Sequence, residues 1–207
     1  MITVKVKICG ITNYEDAITA VDMGADLLGL NFYLRSPRYI EPGVAEKIIS
    51  RLPGFVDVVG VFVNSPFDEI RDIINQCQLN WIQLHGDETP DFCRLFKDIN
   101  VKLMKAIRVK GPQDIKGARD FFADAMLFDA FSPERYGGTG ITFDWDLVRR
   151  LDERAFLAGG ITAENAEEAV RLGVYGIDVC SGIESKPGKK DHKKMQKLFD
   201  NIRHLRA

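Results

Sequence analysis

The sequence predicts an α/β fold, a single (β/α)8 TIM barrel domain spanning residues 1–207, and three observations predict it. Short apolar, β-branched runs alternate with amphipathic stretches from end to end, the pattern of βα units laid around a parallel sheet. Eight such units can be counted along the 207 residues. The residues least expected of a core, among them Cys9, Arg38, His85 and Asp129, fall where strands give way to loops, which is where barrels carry their chemistry. An open doubly wound sheet is the other arrangement for parallel units, but no GxGxxG follows the first strand.

The expected strands are 4–9, 26–32, 57–63, 81–85, 102–108, 126–130, 156–159 and 176–180. Between them, apolar residues recur at helical spacing in Ile70, Ile73, Ile74 and Cys77, and again in Met195, Leu198, Phe199 and Ile202, each set making one core-facing stripe. Thr12 three residues ahead of Glu15 reads as a capping box. Ser65-Pro66 and Thr89-Pro90 each place a capping residue before a first-turn proline, and Gly24 and Gly173 sit where left-handed helix stops are expected. Segments 23–29 and 172–178 echo one another as a helix stop followed by a strand.

Composition narrows the function classes. The chain is 45% hydrophobic and 28% charged, which fits a folded domain, and its net charge of −2 leaves no electrostatic excess to hold a nucleic acid. Four cysteines lie far apart, with neither a CxxC pair nor a histidine at ligand spacing, so no metal site or dithiol motif is expected. The first residues begin a strand rather than a signal peptide, and no apolar run approaches bilayer-spanning length. The expectation is a cytoplasmic protein with free thiols and neither a membrane nor a nucleic-acid partner.

Strand alternation places Lys5, Lys7 and Cys9 on one face of the first strand and Val4, Val6 and Ile8 on the other. The apolar set must meet the helices, so Lys7 and Cys9 point into the barrel, where the ammonium favours a Cys9 thiolate as base or nucleophile. The plainer reading of Cys9 is a buried structural thiol. A buried Lys7 needs a counter-charge, and closure of the barrel would bring Asp178 of the last strand to it as a supporting partner. Asp129 closes the run Met126-Leu127-Phe128-Asp129, whose apolar flanks would raise a carboxyl pKa toward the range of a general acid; capping a loop is its other reading.

Two glycine-rich turns, Gly159-Gly160 and Ser181-Gly182, follow the seventh and eighth strands near expected helix starts, the usual phosphate position in barrels, which points to a phosphorylated small-molecule substrate. Arg38 lies beyond strand two, where its guanidinium would either bind a second anion, such as a carboxylate, through two parallel hydrogen bonds or stand solvated on the loop. His85 ends strand four as a pocket wall or hydrogen-bonding residue, whereas His192 and His204 fall on the last helix as surface residues. Residues 136–145 carry three glycines in four positions before a helix and read as a lid; without GK[ST] they are no nucleotide loop, and Asp144 either caps that helix or touches substrate.

Together, KICGIT at 7–12, SPRY at 36–39, VGVFVN at 59–64, QLHG at 83–86, the Gly137–Trp145 loop and PGKKD at 187–191 closely resemble the phosphoribosylanthranilate isomerase family of tryptophan biosynthesis, collinearly along the whole chain. The resemblance implies an Amadori rearrangement of N-(5-phosphoribosyl)anthranilate to 1-(2-carboxyphenylamino)-1-deoxyribulose 5-phosphate, with no metal or organic cofactor. It implies Cys9 as general base, Asp129 as general acid, Arg38 on the anthranilate carboxylate, and the turns around Gly160 and Ser181 on the phosphate. Two residues depart from the family pattern: Cys180 replaces a frequent serine, with phosphate binding expected to survive on backbone N–H groups, and Phe131 replaces smaller polar residues. A histidine-pathway aminoaldose isomerase, which uses aspartate where this chain has Cys9, and a non-catalytic phosphosugar-binding module are the competing readings. The sequence leaves a monomer or a homodimer open.

Overall fold

The computed structural model describes residues 4–130, 137, 138, 140, 142–149, 151 and 154–206. Eight parallel strands follow in chain order around a closed barrel: β1 (Lys5–Cys9), β2 (Leu27–Asn31), β3 (Asp57–Phe62), β4 (Trp81–Leu84), β5 (Lys102–Val109), β6 (Ala125–Ala130), β7 (Ala155–Leu157) and β8 (Gly176–Val179). Closure comes from β8 pairing with β1, in a register that sets Lys7 beside Asp178 and Ile8 beside Val179. Each expected strand is present, with ends moved by at most a residue or two. Phe131 and residues 136, 139 and 141 of the expected lid lie outside the described residues.

Two apolar layers follow from the alternation. Val6, Ile8, Leu28 and Leu30 point outward to a layer shared with the helices, while Leu27, Val59, Trp81, Met104, Leu127 and Phe156 fill the interior. The interior is packed rather than open: a Cβ on Gly176 would lie 2.4 Å from the Phe156 ring, so the absence of a side chain there makes room for the ring. Polar inward residues, Lys7, Gln83, His85, Asp129 and Asp178, are buried toward the C-terminal ends of the strands.

The helices are α1 (Tyr14–Asp22), α2 (Pro42–Ile49), α3 (Phe67–Cys77), α4 (Pro90–Arg94), α5 (Pro112–Gly117), α6 (Ala166–Arg171) and α7 (His192–Ile202). After β6 the described residues supply a 3-10 turn, Trp145–Val148, in the helix position. The two expected stripes are buried on α3 and α7. Capping is partly different from expectation. Asn13, not Thr12, caps α1 by accepting from the Asp16 N–H at 2.9 Å, because the Thr12 hydroxyl donates instead to the Gly188 carbonyl. Pro66 occupies the cap position of α3 without a side-chain bond, so Ser65 does not cap it, whereas Thr89 does cap α4. Gly24 and Gly173 end α1 and α6 with positive φ, as expected. No helix among the described residues is long and apolar enough to cross a membrane.

Beside the mouth, the buried Lys105 Nζ donates to Glu88 Oε2 at 2.9 Å and to the carbonyls of Leu84 and Gly86. Glu88 in turn accepts from the N–H groups of Asn64 and Gly86, fixing the turn after β4. Removing one member strands a buried charge. Lys105→Met is therefore expected to lower stability by about 3–5 kcal/mol in urea unfolding at neutral pH. Adding Glu88→Gln should recover part of that loss; full additivity would refute the coupling.

Candidate active site

A cavity of about 700 Å³ opens at the C-terminal ends of the strands and is lined by Cys9, Arg38, His85, Asp129, Gly159, Gly160, Asp178 and Ser181 among others. The predicted site residues thus gather in one place, with two exceptions. Lys7 is fully buried below the lining. Gly182, expected to bind phosphate, instead bridges to Thr162, and a Cβ there would lie 2.0 Å from the Ile161 carbonyl oxygen; it holds the turns after β7 and β8 together.

Lys7 Nζ donates to Asp178 Oδ1 at 2.9 Å, the expected pair. Burial opposes its charge, yet Asp178 and then the Cys9 thiolate hold the Lys7 ammonium above its ordinary range. One ammonium serves two anions here, and burial pushes Asp178 up to about 7 despite Lys7. A hydrogen bond from the Cys180 thiol does most to hold Cys9 well below its ordinary value; burial works against it, and Lys7 and Lys190 add to it. Lys190, which sequence reasoning missed, is buried and donates to the Cys9 carbonyl at 2.5 Å. The ammonium expected beside Cys9 is there, but a neighbouring thiol contributes more than either lysine.

Asp129 ends β6 across the cavity. Its surroundings are more polar than the flanking sequence suggests: Oδ1 accepts from the Ala130 N–H at 2.8 Å, and Oδ2 lies 3.3 Å from His85 Nε2. Gln83 Nε2 meets His85 Nδ1 at 2.6 Å, which turns the other ring nitrogen, Nε2, toward Asp129. Glycine is required beside the carboxyl, because Gly159 has φ +86° and its Cβ would lie 2.9 Å from Asp129 Oδ1. Gly137 and Gly138 lie against the same groups, since a Cβ at Gly137 would come within 2.9 Å of Asp129 Oδ2 and one at Gly138 within 2.6 Å of Arg38 Nη1.

Arg38 is buried, and the two parallel hydrogen bonds expected to hold a ligand carboxylate are made to Glu184: Nε to Oε1 at 2.9 Å and Nη2 to Oε2 at 2.7 Å. Glu184 begins the short hairpin β9 (Glu184–Lys186) and β10 (Lys189–Lys190). It also accepts from Lys190 Nζ at 3.1 Å. Against burial, Arg38 and Lys190 hold Glu184 below its ordinary value. The signal that would have found Glu184 is the same demand for a counter-charge that found Asp178, had Arg38 been read as buried.

The turns at Gly160 and Ser181 line the cavity, but neither leads directly into a helix start. Hairpin β9–β10 intervenes before α7, and Asp191 caps that helix by accepting from the N–H groups of Lys193 and Lys194. Any anion here would meet turn backbone rather than a helix terminus. Asp144 accepts from the Asp146 N–H, the capping alternative, and His192 pairs with Asp16 Oδ1 at 2.8 Å, half-buried rather than a free surface residue. His204 is exposed as expected, though on the 3-10 turn after α7. Among the described residues, no group of three His, Cys, Asp or Glu side chains is placed to hold a metal ion.

Alkylation by iodoacetamide checks the electrostatics. The neighbouring thiol and the two ammonium groups lower the Cys9 pKa, so its thiolate forms at lower pH than that of an ordinary thiol. Cys9 is expected to reach its plateau rate at a lower pH than an ordinary thiol does. Burial pushes Cys77 and Cys93 up to about 11, so their thiolate fraction still climbs at alkaline pH. A sigmoid rise near the ordinary thiol value at Cys9 would contradict the geometry.

Comparison with known proteins agrees with the site. The family model for N-(5'-phosphoribosyl)anthranilate (PRA) isomerase matches residues 6–201. An N-(5'-phosphoribosyl)anthranilate isomerase of Trichlorobacter lovleyi is 46% identical over 204 residues, 97% of this chain and 98% of the relative. The crystal structure of phosphoribosyl anthranilate isomerase from Thermus thermophilus superposes with a TM-score of 0.90 at 36% identity, covering 98% of this chain and all of the other. A further such isomerase, solved with reduced 1-(o-carboxyphenylamino)-1-deoxyribulose 5-phosphate, gives a TM-score of 0.86 at 39% identity over 98% of this chain and all of its own. With the barrel, the strand-end thiol and the sequence all in accord, the chain belongs to the N-(5'-phosphoribosyl)anthranilate isomerase family.

Proposed function

We propose that this enzyme carries out the Amadori rearrangement of N-(5-phosphoribosyl)anthranilate to 1-(2-carboxyphenylamino)-1-deoxyribulose 5-phosphate in tryptophan biosynthesis, with Cys9 as general base and Asp129 as general acid. The observation that carries the assignment of roles is a cation-flanked thiol and a buried carboxyl opening onto one cavity. Asp129 delivers a proton to the ribose ring oxygen while the anilino lone pair opens the ring to an iminium ion. Cys9 then removes the C2 proton, giving an enolamine. Return of a proton at C1 and loss of the C2 hydroxyl proton yield the ketone, so protons balance over the cycle. His85 Nε2, 3.3 Å from Oδ2, lies beside the carboxylate left behind.

Glu184 holds the Nε edge of Arg38, which leaves the Nη1 side, against Gly138, for the anthranilate carboxylate. Backbone at Gly160 and Ser181 receives the phosphate. Lys7 and Asp178 support the site by keeping a fixed positive charge under Cys9. The described residues close one barrel, which supports reading residues 1–207 as one domain. A reduced Cys9 is needed for a base, which fits a reducing compartment such as the cytoplasm.

Cys9→Ala and Asp129→Asn should each lower kcat by about 10²–10⁴-fold while retaining affinity for the reduced product analogue; normal turnover in Cys9→Ala would remove the base. Glu184→Gln should raise KM with little change in kcat, and Arg38→Ala should do so more strongly. Equal losses in kcat instead would place the pair in the chemical step.

A homodimer is the assembly the surface favours. Phe55, 80% exposed, stands just before β3 at the N-terminal end of the barrel, the end that also carries a groove of about 650 Å³ lined by Phe96, Ile99, Val101 and Phe122 among others. A two-fold contact lets each copy seat Phe55 in the other's groove. Sedimentation should give a dimer that Phe55→Glu converts to an active monomer; a monomeric wild-type chain would refute this assembly.

A further inference from the structure

Two thiols meet at the edge of the cavity. The register that pairs Ile8 with Val179 continues to Cys9, which ends β1, and Cys180, the residue just past the end of β8. Paired residues of adjacent strands stand about 4.8 Å apart, inside the Cα separation of roughly 4.4–6.8 Å that a disulfide spans. Both side chains line the same cavity. Gly10 makes room for the second of them, because a Cβ there would lie 3.0 Å from Cys180 Sγ.

The surroundings favour reaction at this pair. Lys190 Nζ donates to the carbonyls of both cysteines, at 2.5 Å to Cys9 and 3.3 Å to Cys180, and lies 3.9 Å from Cys180 Sγ. Lys7 supplies a second ammonium from below, beside Cys9. Cys77 and Cys93 sit in the layer between barrel and helices, away from the cavity. A cavity-lining thiol flanked by ammonium groups, with a second thiol at its side, has the arrangement of a redox-reactive cysteine and its resolving partner.

We propose that Cys9 and Cys180 form a peroxide-reactive modification site, at which a hydroperoxide converts the two thiols into a reversible disulfide. The Cys9 thiolate attacks the terminal oxygen of the peroxide, the O–O bond breaks, and the alkoxide or hydroxide leaves and takes up a proton. Cys9 is then a sulfenic acid. Cys180 sulfur attacks the Cys9 sulfur, the S–O bond breaks, and hydroxide leaves with the Cys180 proton as water. Two thiols have given two electrons to one peroxide. A dithiol reductant reverses the bond by exchange. The thiol chemistry stands on the geometry alone; the accompanying loss of isomerase activity rests on Cys9 as general base.

The test treats the reduced full-length protein with hydrogen peroxide and follows intact mass, the disulfide-mapped peptides and turnover. The expected result is loss of two hydrogens per chain, a single peptide linking Cys9 to Cys180, a fall in turnover of about 10²-fold or more, and recovery with dithiothreitol. Reduced 1-(o-carboxyphenylamino)-1-deoxyribulose 5-phosphate, by filling the cavity, should slow all of these together. In Cys180→Ser, each measurement compared with that variant's own untreated sample, Cys9 should gain oxygen atoms and form no bridge. Should that variant not fold, the wild-type peptide map decides alone. Wild-type protein that gains only oxygen atoms, or links any other pair, overturns the proposal. A Cys9–Cys180 bridge with turnover unchanged upholds the thiol pair and removes Cys9 from the reaction instead.

Discussion

The structure depends on an ammonium buried inside the barrel. Taking Lys7 out of water costs several kcal/mol unless anions offset it, and the only route to Asp178 is closure of β8 onto β1. The same cation lies beside Cys9, so an electrostatic requirement of the fold also sets the state of the thiol. Fold and chemistry are linked at this point. A barrel interior filled only by apolar side chains would pack as well but would leave Cys9 an ordinary buried thiol, pushed up by desolvation as Cys77 and Cys93 are.

A second ionic cluster arranges the rim. Glu184 grips Arg38 from the loop after β2 and Lys190 from β10, while Lys190 reaches the carbonyls of Cys9 and Cys180. Three separate stretches of chain are thereby locked before any ligand arrives, which is how a site avoids spending binding energy on its own ordering. The cost is a concentration of buried charge, tolerated because each group has partners at hydrogen-bond distance.

Local signals were enough where the physics is local. Alternation along 5–9 turned Lys7 and Cys9 inward, the stripes of α3 and α7 were readable from spacing, and glycine after Ala158 marked a turn that Asp129 turned out to need. Errors arose where a side chain had a choice of partners. Thr12 has the spacing of a capping box, yet its hydroxyl is taken by a carbonyl 176 residues away. Arg38 was recognised, but its two-pronged contact went to a carboxylate of the protein itself. Asp129 looked apolar from its neighbours in sequence, whereas His85 of β4's end faces it across the mouth.

The sequence by itself determined the eight-unit barrel, the inward thiol and the identity of its buried counter-charge, because strand period and the requirement to neutralise a buried ammonium leave little freedom. Tertiary structure alone decided which groups converge from distant strands: Cys180 on Cys9, Glu184 and Lys190 on the rim, and His85 on Asp129. Those contacts join residues far apart in the chain, and no periodicity records them. They depend on register and on the choice each polar side chain makes among several partners, which is settled only when the barrel closes.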